Sequence, residues 1–471
     1  MTIQQQAPFT RELTLGFLQR SASTGWENWL DHVASAGGCS TPIRLKGTID
    51  TFHAHSGQRL ATRSTDSMPD GVIYKACGTR RSALCPTCSK TYQHDAFHLI
   101  RAGLTGGKTV PDTVTSHPGI FVTLTAPSFG PIHSRTQSAS GHTLPCRARR
   151  DAPTCEHGKT LACYRKHSKD DDTDIGQPLC PDCYDHDAQV IWNLSAGELW
   201  RRTRINADRE LSRLAKTMGI DPKTVRLRYV KVAEFQRRGI VHFHALIRLD
   251  GHNPDDEAVI PPAEDITADD LGDIITKAVT NTSFITEEHP EHGTKWTIQW
   301  GTQLDVRTVA LDAHELTDGH AAGYLAKYAT KSTEDTGYLS GRLTTSTIAH
   351  YADADGSHIE RLIDAAWRLG SFSGQWKRLQ RWAHMLGFGG HFMTKARSWS
   401  TTFKALRATR AEWIHRQDTI DSNNNDTTLL VNYLRYDGTG WHTQADALMA
   451  TSAAARTRQR NEIAREQEIY N

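Results

Sequence analysis

"VRLRYVKVAEFQRRGIVHFHALIRLD", residues 225–250, decides the fold. Apolar and polar residues alternate on both sides of Arg238-Gly239, so the stretch reads as two strands joined by a tight turn, a hairpin. Residues two apart in a strand share a face. His242 and His244 therefore point to one side, where a plain buried strand would carry valine or isoleucine, and Phe243 packs into the core behind them. Two imidazoles on one face can converge on a single ion such as Zn, Mn, Fe or Ni. Glu234, across the hairpin, is the natural third ligand. With a three-residue turn it sits opposite His242; with a two-residue turn it is one step off. A carboxylate beside two imidazoles leaves coordination positions open for a phosphate, and such a site polarises a phosphodiester as a Lewis acid. Taken alone, a His-x-His pair is more often a polar strand face with satisfied histidines.

Upstream, "GIFVTLTAPSFG" (119–130) is an apolar run closed by proline and glycine, a buried strand, and residues 188–219 have helical spacing ending at glycine. Downstream, "GYLAKYATK" (323–331) holds Tyr-x-x-Lys twice, as Tyr324 to Lys327 and Tyr328 to Lys331. On a helix, residues four apart are neighbours, so the tyrosines share one face and the lysines another nearby. A tyrosine hydroxyl is a poor nucleophile at its ordinary pKa near 10, and a nearby cation favours the phenolate. Alone, this pattern is far more often that of an amphipathic helix packed by its tyrosine rings.

The nine cysteines all lie between Cys39 and Cys183. An odd number without a secretory leader argues against a disulfide framework and for metal. Cys39, Cys77, Cys85 and Cys88 can form one all-thiolate zinc site, with Cys85-Pro-Thr-Cys88 as its knuckle. Cys146, Cys155, Cys163, Cys180 and Cys183 are one more than a site needs, with His157 and His167 also available and Cys180-Pro-Asp-Cys183 as the firmest half.

The formal net charge of +2 does not by itself indicate nucleic acid. Residues 377–410, however, carry eight lysines or arginines and no acid, with Trp376, Trp382, Phe388, Phe392, Trp399 and Phe403 interleaved. Basic groups neutralise phosphates and aromatic faces stack on unpaired bases. Arg381, Lys395, Arg397, Trp399, Lys404 and Arg407 are the DNA-binding candidates; the competing reading is a helical region with solvated cations around a packed aromatic core. The chain has no long apolar run and its start lacks the features of a signal peptide, so a cytoplasmic protein without a membrane is expected.

The order of the "FVTLTAPS" strand, the "HFH" strand and the Tyr-x-x-Lys helix resembles rolling-circle replication initiators of the HUH endonuclease superfamily, named for His-hydrophobic-His, and within it the RepSA-type initiators of actinomycete plasmids. The resemblance covers nearly the whole chain, through "GGCSTPIRLKG" (37–47), "CGTRRSALCPTC" (77–88), "PLCPDCYDH" (178–186), "VAEFQRRGIVHFHALIRLDG" (232–251), "AGYLAKYATKS" (322–332) and "RWAHMLGFGGHFMTKARSWSTTFKALR" (381–407). It implies an α+β fold with a central antiparallel sheet and flanking helices, and an enzyme that nicks and rejoins origin DNA through a 5′-phosphotyrosine link and a free 3′-hydroxyl primer. It makes His242 and His244 ligands of a divalent metal such as Mg or Mn, Tyr328 the nucleophile and Lys331 its partner. Related single-tyrosine initiators often place a glutamate four residues before the nucleophile, to activate the water that ends replication; here that position is Tyr324, which is either a second nucleophile or leaves the role to another acid.

Four regions are expected. Residues 1–115 hold the first cysteine module. Residues 116–340 form the nickase domain, with a second Cys/His-rich zinc module inserted at 142–187. A basic aromatic region follows at 341–414, and 415–471 is a linker, a hairpin about Asp437-Gly438 and a terminal helix. Expected partners are plasmid origin DNA, as a single strand or hairpin, and a host helicase and DNA polymerase, since no Walker-type motif is present. A zinc-containing DNA-binding regulator without catalysis, or a relaxase or transposase of the same chemistry, are the alternatives.

Overall fold

The computed structural model describes residues 11–23, 25–34, 36–53, 55–168, 173–253, 255–262, 265–309, 322–323, 325–327, 341–410 and 428–456. The chain forms two compact units, residues 1–94 with 406–471, and residues 95–405.

The first unit packs helices α1 (Arg11–Ser21) and α2 (Trp26–Ala34) with strands β1 (Ile43–His53), β2 (Arg59–Ser64) and β3 (Ile73–Lys75). Trp29, Val33, Tyr74 and Met449 are in its core. Asp70 ties it together, accepting from Trp29 Nε1 at 2.7 Å, Tyr74 Oη at 3.0 Å and Arg20 Nη1 at 2.7 Å. Burial alone would raise the Asp70 pKa, but these donors outweigh it and hold the carboxyl below its usual range. The hairpin expected about Asp437-Gly438 is instead one strand, Thr428–Thr439, antiparallel to β1 from Ile43↔Thr439 to His53↔Thr428. Arg44 pairs with Gly438 and Leu45 with Tyr436, so Asp437 is the extra residue of a bulge. A pair that usually turns a chain here bends a long strand along a full-length partner.

The second unit is built on a six-stranded antiparallel sheet. Helix α3 (Pro86–Thr105) leads into it. Its strands are β4 (Gly119–Leu124), β5 (Val225–Phe235), β6 (Val241–Asn253), β7 (Asp256–Ile260), β8 (Leu304–Thr308) and β9 (Met393–Lys395). They run in the order β8-β4-β6-β5-β9, with β7 also pairing β6. Helices α4 (His186–Thr217), α5 (Ala268–Thr280) and α6 (His358–Leu369) complete the unit. Asp185 caps α4 by accepting from Ala188 N–H at 2.8 Å. Ala196, Leu199, Thr203, Ala207, Leu211 and Ala215 then repeat at helical spacing as its buried stripe. Phe243 faces this side, with Trp200 and Trp300 edge-on at 6.3 and 5.7 Å.

The expected β5–β6 hairpin is present, and its turn has three residues. Gln236 N–H donates to Ile240 O at 2.8 Å and Gly239 N–H to Gln236 O at 2.9 Å, with Gly239 at φ +73°. A Cβ there would also come within 2.6 Å of Leu386 Cδ1, so both backbone and packing demand glycine. This turn length sets Glu234 opposite His242.

Four of the six aromatics of the basic segment are core residues, while Trp382 and Phe403 are half-buried. Trp376, Phe388 and Phe392 share one hydrophobic cluster with the sheet and α6, and Trp399 is wholly buried, with the Arg248 guanidinium over its ring. Trp399 therefore has no face to offer a base. Lys395 Nζ donates to Ser400 O at 2.6 Å, and its burial lowers its pKa. Arg381, Arg397, Lys404 and Arg407 are exposed.

One buried cation has a measurable consequence. Lys231 lies on the core face of β5, its Nζ 3.9 Å from the Phe243 ring centre, and burial pushes its pKa from 10.5 down to about 7. Above pH 10.5 it is neutral in both states and costs nothing. As pH falls toward 7 the unfolded chain takes up a proton that the folded chain lacks, and stability drops by up to about 1.4 kcal/mol per pH unit. Lys231→Met should therefore raise the denaturant midpoint at pH 7 and remove the rise in midpoint between pH 7 and 9. A variant that keeps the wild-type slope would assign that slope to another group.

Candidate metal centre

On the face of the sheet away from Phe243, the hairpin brings three donor atoms together. His242 Nε2 and His244 Nε2 are 2.8 Å apart, and Glu234 Oε2 lies 3.2 Å from the first and 3.3 Å from the second. Adjacent donors about 2.1 Å from an octahedral cation are about 3.0 Å apart, so the triangle has the dimensions of one face of such a site. Two imidazoles and one carboxylate on one face leave the opposite positions open.

Neighbouring side chains orient the His244 ring. His244 packs against the Phe121 ring, and its Nδ1 is 3.1 Å from Thr123 Oγ1 on β4. With the Nδ1 proton donated to that hydroxyl, the Nε2 lone pair faces the triangle. The Nδ1 of His242 is buried without a hydrogen-bond partner among the described residues. His242 also borders a cleft of about 500 Å³ that includes Glu234, Gln236, Arg237 and Arg238. The triangle thus opens on a space large enough for a nucleotide unit.

Tyr324, Tyr328 and Lys331 lie outside the described residues. Of that helix, Ala322, Leu325 and Ala326 are buried and Lys327 is exposed.

The cysteines gather in three groups. Cys39, Cys77, Cys85 and Cys88 come together in the first unit, their thiol sulfurs all within 4.8 Å of one another. Burial pushes Cys39 up to about 11, whereas at Cys85 the N–H groups of Cys88 and Ser40 outweigh burial and bring the thiol down to about 7. Without a cation such a group cannot hold all four thiolates; with one, it can. The remaining five cysteines do not form one site. Cys146 and Cys163 meet His133 and His167, and Cys155, Cys180 and Cys183 meet His157. His133 was not among the sequence candidates. A count could have shown that one donor was missing, because two tetrahedral sites need eight and the five cysteines with His157 and His167 make seven, but not that it was His133. A further group, His289, Glu291 and His292, is less suited to a metal: His289 Nε2 bonds Leu369 O at 3.1 Å, and its ring is enclosed by Phe372 and Trp376.

No helix among the described residues is long and apolar enough to cross a membrane. A family model described as "Replication initiator protein, pSAM2" (RepSA) matches residues 25–455. A curated "Replication initiator protein" of Streptomyces ambofaciens is 38% identical over 464 residues, spanning 96% of this chain and 95% of that protein. No solved structure matches.

Proposed function

The chain belongs to the RepSA family of replication initiators, and from that premise we propose that it nicks and rejoins single-stranded origin DNA by tyrosine transesterification, as an HUH-type nuclease. The observation that carries this reading is the Glu234–His242–His244 triangle beside an open cleft. A regulator that only bound DNA would need the cysteine groups but not this open donor set.

A divalent cation such as Mg or Mn, held by Glu234, His242 and His244, would supply Lewis-acid polarisation of the scissile phosphate. The other steps fall to the chain's own residues. Tyr328 is the nucleophile, and the Lys331 ammonium favours its phenolate. The phenolate oxygen bonds to phosphorus as the P–O3′ bond breaks, and the released 3′ oxygen takes up a proton. The products are a 5′-phosphotyrosine and a 3′-hydroxyl that a host polymerase can extend. Attack by that hydroxyl on the phosphotyrosine reverses the step and reseals the strand. A host helicase separates the strands in the cytoplasm. The exposed Arg381, Arg397, Lys404 and Arg407 contribute phosphate contacts.

The test is incubation of the protein with supercoiled origin plasmid and Mn or Mg. Nicked circles carrying covalently bound protein support the reading; intact plasmid with bound protein supports the regulator.

The cysteine groups are structural zinc sites in this account. Thiolates hold zinc tightly, whereas an open site of two histidines and a carboxylate exchanges its ion readily. Brief EDTA treatment should stop cleavage while about three zinc ions per chain remain, one for each thiolate-bearing group. Purified protein without zinc would overturn the structural assignment.

A further inference from the structure

The segment between β4 and α4 carries its ligands in alternating pairs. His133 and Cys146 join Cys163 and His167, while Cys155 and His157, between them, join Cys180 and Cys183. The groups interleave, so neither can form from one contiguous stretch. The segment also lacks an apolar core of its own. Between Ala126 and Val190, the only buried apolar side chains among the described residues are Cys146, Cys163, Pro178, Cys180 and Tyr184. A segment of this kind takes its shape from metal.

That shape reaches the catalytic cleft. His133 N–H donates to Gln177 O and Gly176 N–H to His133 O, both at 2.8 Å, and Ser134 N–H donates to Cys146 Sγ at 3.2 Å. Ile132 to Arg135, with Ile175 and Gly176, form one wall of the 500 Å³ cleft; Glu234 to Arg238 and His242 form the other. The walls meet at Gly176, where φ is +92° and a Cβ would lie 2.8 Å from the Arg238 backbone nitrogen. A second cleft of about 550 Å³ shares Ile132, Ser134, Gln236 and Arg238 and continues to Gln299–Gln303. The shared residues set the two clefts side by side, the first of them at the triangle. Arg135 is exposed on one wall and Arg237 on the other.

We propose that residues 133–168 and 173–183 are an interleaved two-zinc module whose His133-bearing loop forms one wall of a track for single-stranded DNA, with Arg135 holding a backbone phosphate next to the scissile one. This rests on the nicking function proposed above. Metal at the His133 group then acts as a positioning element for strand binding, separate from the cation at the triangle.

The test uses the full-length protein, a fluorescein-labelled single-stranded 20-mer, and brief EDTA treatment to prevent cleavage. Anisotropy is read across a salt series, and zinc is counted by plasma mass spectrometry. Arg135→Ala should keep all its zinc, bind several-fold more weakly, and flatten the slope of log K against log salt by about 0.7, the share of one single-strand phosphate contact. Arg135→Lys should restore most of the affinity. His133→Ala should lose one zinc and bind more weakly than Arg135→Ala. Arg213→Ala, on the exposed face of α4, serves as the control for general charge loss. Wild-type affinity and slope in Arg135→Ala, or wild-type affinity in a His133→Ala protein that has lost one zinc, would overturn the proposal. Either result with cleavage intact in the wild type leaves the nicking function standing; a wild type that neither binds the strand nor cleaves removes both.

Discussion

Tyr328→Phe protein is expected to bind origin DNA within about twofold of wild type and to lose the cleavage step by on the order of 10³-fold or more. Only the hydroxyl is removed, so the ring itself and every phosphate contact elsewhere remain. Covalent adducts resolved on denaturing gels give the answer directly. An adduct that persists in Tyr328→Phe would make Tyr324 the nucleophile. Tyr324→Phe itself should nick, and its effect should be confined to termination or rejoining. Normal plasmid copy number in that variant would remove any special role for Tyr324.

The second large effect is expected at the triangle. Glu234→Gln keeps the size of the side chain and removes its charge. Two neutral imidazoles alone hold a hard divalent ion weakly, so the metal concentration for half-maximal nicking should rise by on the order of tenfold or more, at about 1.4 kcal/mol per decade. Stability without divalent metal should barely change. The competing role for Glu234 is an ion pair with Arg237 or Arg238, which at a surface stabilises by roughly 0–1 kcal/mol. The structure points away from Arg238, whose Nε donates to Gln236 Oε1 at 2.8 Å. Unaltered metal dependence in Glu234→Gln would remove the carboxylate from the ligand set.

The hairpin was legible because two short-range rules act together. Strand alternation sets which residues share a face, and turn length sets which residues face each other across it. Glu234 opposite His242 follows once the turn has three residues, although the alternation alone left two registers open. The four-thiolate group was legible from its Cys-x-x-Cys knuckle. The two interleaved groups were not, because their ligands come together only through the tertiary path of the segment, and His133 sits outside the cysteine-rich stretches. Composition also misled at Trp399. A run of cations and aromatics has the same appearance whether the rings face DNA or the core, and only packing separates the two. Lys231 is a similar case: strand alternation puts it on the apolar face, but a charged residue there reads as a solvated one until its burial is seen. At Asp437-Gly438 a local turn signal yielded to the long β1 edge, a tertiary override that no short window contains.

The central claim is that Tyr328 becomes joined to DNA, and peptide mapping of the covalent adduct tests it most directly. Trypsin cuts after Arg307, Lys327 and Lys331, so Tyr324 and Tyr328 fall on different peptides, 308–327 and 328–331. After cleavage of a single-stranded origin fragment, nuclease trimming and digestion, the account predicts a nucleotide-bearing peptide Tyr328-Ala-Thr-Lys331 whose tyrosine carries the 5′ phosphate. A nucleotide on peptide 308–327 alone, or nicked DNA with no nucleotide-bearing peptide, would contradict it.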